Sequence, residues 1–250
     1  MTTNTTPDLD LQWIVIECPY AQWNNPMVQQ YFNQFITVKK MGFEKAYPEG
    51  VLPLGTYDFI GTILMIVDKK TGKPLCALKS TTQKRCAEYH LTEELTSHLR
   101  VSNARAHLTA IEDVFKKAKE QNKLVSYLGS WATHPDVAHH EFKKISREAS
   151  MALTYHYYTS FEASEILAGA SPRFKVPEVL MKLGYELLKD HEQKLLPALT
   201  SPFLFGEPYV LVHLKNFSAA AKLDGAKYQA LWDQRIELRL PVDFEVKKAA

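Results

Sequence analysis

Cysteine is scarce in this 250-residue sequence, and the three present, Cys18, Cys76 and Cys86, are odd in number and lack CxxC spacing. No disulfide framework and no zinc site follow from such a set, which suits a reducing cytoplasm. Long hydrophobic runs are also missing. The longest, Phe59 to Val67, is too short to span a bilayer, and Met1 to Asp10 is polar without the basic and apolar regions of a secretion signal. Residues 1–10 read as a disordered N-terminus, and the chain is expected to stay in the cytoplasm with no transmembrane segment. Charge of one sign is lacking too: a net +2 is too little for nucleic acid, although a weakly basic face for an acidic partner is compatible with it. There is no GxSxG elbow, no Walker loop, no HExxH and no GxGxxG after a strand. His90, His98, His107 and His191 have no metal-ligand spacing, so no metal is expected. Cys76 and Cys86, without a base partner, read as inert packing.

What is present suffices for a packed, enzyme-sized domain: 46% hydrophobic and 11% aromatic residues. Trp13 to Cys18 is a β-branched, apolar run suited to a buried strand. Asn25-Pro26 then reads as an N-cap and first helical position, with Val28, Phe32, Phe35 and Val38 at helical spacing and Gly42 at the expected C-cap. Residues 43 to 56 read as a loop. Ile60 to Val67, the turn 68–73 and Pro74 to Thr81 form a hairpin. A helix is predicted over Thr92 to Gln121, with Leu108, Ile111, Phe115 and Ala118 on one face and Lys116, Lys117, Lys119 and Glu120 on a solvated one.

Lys123 to Thr133 reads as a strand in which Tyr127 and Trp131 share a face. A long helix capped by Asp136 is predicted to follow. Its buried stripe is Phe142, Ile145, Ala149, Leu153 and His156, and its other side carries His139, Lys143 and Arg147. Phe161 to Gly169 can form a strand, Val176 to Leu183 a short helix closed by Gly184, Tyr209 to Leu214 a final strand, and 217 to 234 a C-terminal helix. Residues 189–208 read as a Pro-containing insertion. No internal repeat or linker divides the domain.

The order of these elements resembles the GNAT acyltransferase superfamily over residues 11–215. The resemblance rests on the hairpin GTILMIVDKKTGKPLCALKSTT, on LVSYLGSWATHPDV and on PEVLMKLGYELL. It implies an α/β (α+β) fold, a GNAT-like mixed central sheet with helices on both faces, here extended by a C-terminal helix and tail at 216–250. In that family the strand matching 124–133 splays from its neighbour and admits the pantetheine arm of an acyl carrier. Trp131, Ala132 and Thr133 would then lie beside the thioester.

Two departures qualify the resemblance. The family's glycine turn for pyrophosphate is replaced by Ala138-His139-His140-Glu141-Phe142-Lys143, which offers no tight amide cradle. The usual acid Tyr is replaced by Leu180. A GNAT-like core without the glycine turn resembles the N-acyl amino acid synthases and, less well, the acyl-homoserine-lactone synthases, whose Glu-x-x-Arg is missing. That branch takes acyl groups from acyl carrier protein, whose single phosphate and acidic surface can be met by scattered cations. Trp131, Thr133, His139, Lys143, Lys144 and Arg147 are the expected carrier and pantetheine contacts; the three cations also read as an ordinary exposed helix face.

The attacking amine needs a proton acceptor and the oxyanion needs donors. His134 is the first candidate base, because an imidazole titrates near ~6.5; its other reading is a loop histidine that caps the next helix. Glu141 and His139 follow. The backbone N–H groups of Ala132 and Thr133 are the expected oxyanion donors. The sequence thus points to an acyltransferase that moves an acyl group, expected to be long, from a carrier thioester to an amine such as an amino acid. It would hold no permanent cofactor, use acyl-phosphopantetheine as cosubstrate, and meet acyl carrier protein and a small-molecule amine as partners. Two alternatives stay open: an acetyl-coenzyme A-dependent N-acetyltransferase, and a catalytically silent module that binds an acyl carrier or lipid.

Overall fold

The computed structural model describes residues 10–47, 50, 54–161, 163–201 and 206–240. Their strands are β1 (Leu11–Glu17), β2 (Thr62–Asp68), β3 (Lys73–Thr82), β4 (Leu124–Thr133), β5 (Ala163–Ala170), β6 (Glu186–Leu187), β7 (Leu199–Ser201), β8 (Glu207–Leu214) and β9 (Ile236–Leu238). They join in the order β6-β8-β5-β4-β3-β2-β1-β9, with β7 on the flank of β8. The pairs β4–β5 and β1–β9 are parallel and the others antiparallel, so the sheet is mixed, as expected. The helices are α1 (Pro26–Ala46), α2 (Thr56–Ile60), α3 (Gln83–Glu88), α4 (Glu94–Val101), α5 (Arg105–Glu120), α6 (Ser146–Ser160), α7 (Val176–Leu183), α8 (Ala219–Lys227) and α9 (Gln229–Asp233).

Both faces of the sheet are covered, which is why β1 is apolar at consecutive positions: Trp13 and Val15 pack with α6, whereas Ile14 and Ile16 pack with α1. Each such large side chain stabilises the fold by roughly 1.5–3 kcal/mol on burial. The first face carries α6 to α9, with Phe142, Ala149, Leu153, Leu180 and Trp232 against it. The second carries α1, through Val28, Phe32, Phe35 and Val38, and α4 and α5, through Leu95, Leu99 and Ile111.

Local signals set several boundaries. Asn25 Oδ1 accepts the Met27 N–H at 3.0 Å and starts α1. Gly184, at φ 110°, ends α7 in the left-handed region that favours glycine. Gly42 does not cap α1 as expected. The helix runs through it to Ala46, into the segment predicted to be loop, and α2 begins at the last residue of that segment, Thr56. The predicted helix over 92–121 is two helices, broken where Asn103 takes φ 50°. The helix predicted to begin at Asp136 starts at Ser146. Two 3-10 turns, Pro135–His139 and Glu141–Lys144, precede it, capped by His134 and His140 rather than by Asp136. The expected buried stripe nevertheless holds, from Phe142 to His156.

The C-terminal helix is bent at Tyr228 into α8 and α9, and β9 then pairs with β1. Tyr228 and Trp232 pack on Trp13, and His156 stacks on Trp232 at 5.4 Å. The segment after 216 is therefore built into the sheet and its first face. Residues 1–9 of the expected disordered N-terminus and the tail beyond 240 lie outside the described residues.

Candidate functional site

β4 and β5 diverge. Their pairing runs from Leu124↔Ala163 to Leu128↔Ala168 and stops, although β4 continues to Thr133 and β5 to Ala170. On its other side β4 stays paired to β3, but with a shift: Lys79 faces Gly129 and Ala77 faces Ala132, so Ser130 and Trp131 together oppose Leu78. This is a β-bulge, and Ser130 takes the left-handed conformation at φ 55°. A bulge bends its strand, and here the bend coincides with the departure from β5. The result is a wedge between the two strands with its apex at Leu128 and Ala168.

The bulge also resets side-chain alternation. Tyr127 packs with α4 and α5 on the second face, whereas Trp131 packs with α6 on the first. The expectation that they share a face is corrected by the one inserted residue. Thr133 returns to the first face, opposite Cys76, whose thiol contacts Ser150 Oγ at 3.3 Å. Burial pushes that thiol's pKa up, so Cys76 is a neutral packing group rather than a nucleophile.

Backbone direction follows from the same register. The His134 N–H bonds to the Leu75 carbonyl at 2.9 Å, which makes 134↔75 and 132↔77 the hydrogen-bonded pairs. Ala132 therefore turns its N–H toward β3, while Thr133 and Trp131 turn theirs to the open edge. Of the two expected oxyanion donors, Thr133 is on the wedge side and Ala132 is not. Above this stretch α1 comes close: a Cβ on Gly42 would lie 3.1 Å from the Thr133 oxygen and 3.3 Å from Ala132 Cβ.

His134 is buried at the strand exit, and its Nδ1 accepts the Asp136 N–H at 3.2 Å. Burial, with a further contribution from Lys73, lowers its pKa and keeps the ring neutral at pH 7. Asp136 is held by an ion pair with Lys73. Glu141 is exposed and ion-paired with Lys144, on a turn whose buried residue is Phe142. Lys143 and Arg147 are exposed and form no ion pair among the described residues. The side chain of His139 lies outside the described part of the chain. Leu180, in the place of the usual acid Tyr, is on the buried face of α7.

The segment replacing the glycine turn has little backbone to offer an anion. The N–H groups of Asp136, Val137, His140, Phe142, Lys143 and Ile145 all donate within it. Pyrophosphate binding by a turn depends on free convergent amides.

One cluster shows no sequence spacing at all. Lys39 of α1, Asp58 of α2, Lys79 of β3 and Glu94 of α4 are buried together on the second face. Lys39 Nζ contacts both Asp58 oxygens at 2.8 and 2.7 Å, and Lys79 Nζ lies 2.7 Å from Glu94 Oε1 and 3.3 Å from Asp58 Oδ1. Thr81 Oγ1 donates to Glu94 Oε2 at 2.6 Å, and the Gly55 N–H to Asp58 at 2.7 Å. Burial lowers the Lys39 pKa. Burial works the same way on Lys79, but the Glu94 and Asp58 carboxylates overcome it and hold that pKa up. The four residues come from four elements, so only tertiary structure brings them together. A small pocket adjoins them, lined by Thr81, Glu94, Leu95, Phe115, Tyr127 and Leu167 among others.

No protein-family model and no curated protein matches the chain by sequence. Solved structures do resemble it. FeeM, an N-acyl amino acid synthase from uncultured soil microbes, is 7% identical, with 83% of this chain and 92% of FeeM covered at a TM-score of 0.51. MesI, a CoA-dependent acyl-homoserine lactone synthase, is 10% identical, with 87% and 95% covered at 0.53. At such identities the likeness is one of fold alone: a mixed sheet with helices on both faces, the GNAT-like fold expected from the sequence.

Proposed function

We propose that this protein is an N-acyltransferase that accepts an acyl group on a phosphopantetheine thioester and transfers it to a small-molecule amine, for which an amino acid is the favoured class. The observation that carries the reading is the wedge: β4 leaves β5 beyond Leu128 and Ala168 and turns the Trp131 and Thr133 amides to the opening. An extended pantetheine arm can lie along such an edge as an added strand does, bonded to main-chain groups.

The reaction asked of the site is direct. The neutral amine attacks the thioester carbonyl, the oxyanion takes hydrogen bonds from the open β4 edge, the carbon–sulfur bond breaks, and the departing thiolate takes up the proton that the amine has given up, from the base or through water. The amine's proton is assigned to His134, which must release the Asp136 amide to take it; Glu141 and His139 are the lesser candidates. No covalent enzyme intermediate is formed, in keeping with a Cys76 that is buried and protonated.

Acyl carrier protein is the favoured donor. The amides of Asp136, Val137, His140, Phe142, Lys143 and Ile145, spent internally, disfavour a pyrophosphate, whereas Lys143 and Arg147, with Lys144, offer side-chain cations to an acidic carrier surface. The second reading, coenzyme A as donor, is supported by the shared fold of the CoA-dependent MesI. No described helix is long and apolar enough to cross a membrane, and a cytoplasmic location suits both donors. The purified protein is mixed with pooled amino acids and either palmitoyl carrier protein or acetyl-coenzyme A, and products are read by intact mass. N-palmitoyl amino acid with deacylated carrier supports the proposal. Acetylated product from coenzyme A alone supports the second reading, and silence in both arms overturns acyl transfer in favour of a binding module.

A further inference from the structure

The apex of the wedge holds a phenol that has no hydrogen bond among the described residues. Gly129 and Gly169 each stand one residue beyond the last β4–β5 pair, Leu128↔Ala168. A Cβ on Gly129 would fall 3.0 Å from Tyr127 Cε1 and 3.6 Å from its hydroxyl oxygen; one on Gly169 would fall 3.5 Å from the same oxygen. The Tyr127 ring thus folds forward along its own strand, and its hydroxyl lies between the two glycines, over the point where the strands part. Tyr209 of β8 closes the far side, within 3.3 Å of the Gly169 Cβ position. His98 of α4 meets the Tyr127 ring edge-on at 6.1 Å.

Packing alone explains the ring but not the hydroxyl. Among the described residues nothing donates to it or accepts from it; the Tyr185 and Tyr228 hydroxyls are unpartnered as well, but those are sealed in the core, whereas Tyr127 is only half-buried and its hydroxyl lies where the strands part. A phenylalanine would fill the same notch, so the hydroxyl adds a donor at the wedge that packing does not require. The group is a donor in practice: burial, reinforced by the Glu94 carboxylate, pushes its pKa far up, so the phenol keeps its proton throughout the working range.

We infer that the Tyr127 hydroxyl is a substrate-contacting hydrogen-bond donor, which binds the carbonyl oxygen of the acyl thioester at the wedge apex. This rests on the acyl-donor reading above and adds a side-chain donor to the backbone amides of the open β4 edge. No proton is transferred by it; it holds the oxygen while charge develops there. The position emptied by Leu180 is not refilled, because the bond made is to oxygen and not to sulfur.

The test compares two unreactive ligands on the intact protein. One is a ketone analogue of octanoyl-pantetheine, in which a methylene replaces the sulfur; the other is S-octyl-pantetheine, a thioether with no carbonyl. Tyr127→Phe is expected to weaken the ketone about tenfold and the thioether less than about twofold, and to lower turnover ~10²–10³-fold, as loss of one oxyanion donor does. Gly129→Ala, whose Cβ would meet the Tyr127 ring at 3.0 Å from Cε1 and so shifts the hydroxyl, is expected to show the same ketone-selective loss. Equal weakening of both ligands, or of neither, by Tyr127→Phe overturns the assignment and leaves the acyl-donor reading standing. Failure of the unaltered protein to bind either ligand overturns that reading, and this assignment with it. A variant whose melting temperature falls far enough to affect both ligands alike counts against the assignment, because it marks Tyr127 as packing.

Discussion

Gly42 of α1 faces Thr133 of β4 so closely that a Cβ on the glycine would lie 3.1 Å from the Thr133 oxygen. The glycine costs α1 up to about 1 kcal/mol of helix propensity relative to alanine, and in return the helix settles on the backbone that forms the wedge edge. Gly42→Ala should therefore be close to neutral, the propensity gain offsetting the contact. Gly42→Val lacks that compensation and is expected to lose ~1–3 kcal/mol by overpacking, seen as a lower urea midpoint. A valine variant as stable as the parent would show that α1 is free to move off β4.

His134 separates capping from catalysis. Asparagine can accept the Asp136 amide as the imidazole does but cannot take a proton from the amine. His134→Asn is expected to keep the melting temperature and lower kcat ~10²–10⁴-fold, the range for loss of a general base. Unchanged turnover would leave His134 as a cap alone.

The four-charge cluster should behave as a unit. Asp58→Leu strands Lys39, which contacts both Asp58 oxygens, and removes one partner from Lys79. Breaking a buried pair from one side costs ~3–5 kcal/mol, whereas removing both members can be nearly neutral. The double variant Lys39→Met/Asp58→Leu is thus expected to be more stable than Asp58→Leu by urea titration. Additive losses would contradict a shared network.

Acid should weaken the fold well before carboxylates titrate. Burial lowers the pKa of His98, His107, His134, His156 and His213. Each stays neutral when folded at pH values where the unfolded chain, near ~6.5, binds a proton. The stability they protect is complete above that value and is lost as pH falls below it. The urea midpoint is expected to drop between pH 7.5 and pH 5, and a flat or rising midpoint would refute the burial of these rings.

Much of this architecture was legible because local chemistry and burial agree. Asn25-Pro26 starts α1, the Gly72-containing turn joins β2 to β3, and Gly184 closes α7, each as the residue type demands. Errors arose where one residue changed a period. The bulge at Ser130 inserts a left-handed conformation at a residue that does not advertise it, and so moves Trp131 to the opposite face from Tyr127. Asn103, a residue that tolerates φ 50°, did carry the signal for the break between α4 and α5. β9 is three residues with a charge at its centre, too short to show alternation. The buried charges were beyond reach for another reason: Lys39, Asp58, Lys79 and Glu94 share no sequence spacing, and only the packing of four elements pairs them.

The wedge itself is best tested by hydrogen exchange, with peptides covering residues 129–133 and 169–171 followed with and without the ketone analogue of octanoyl-pantetheine. If the open edge of β4 receives the acyl donor, the Trp131 and Thr133 amides slow on binding while those of β1 and β2 do not change. Binding that leaves residues 129–133 unprotected, or protects only a surface elsewhere, would contradict the placement of the acyl donor between β4 and β5.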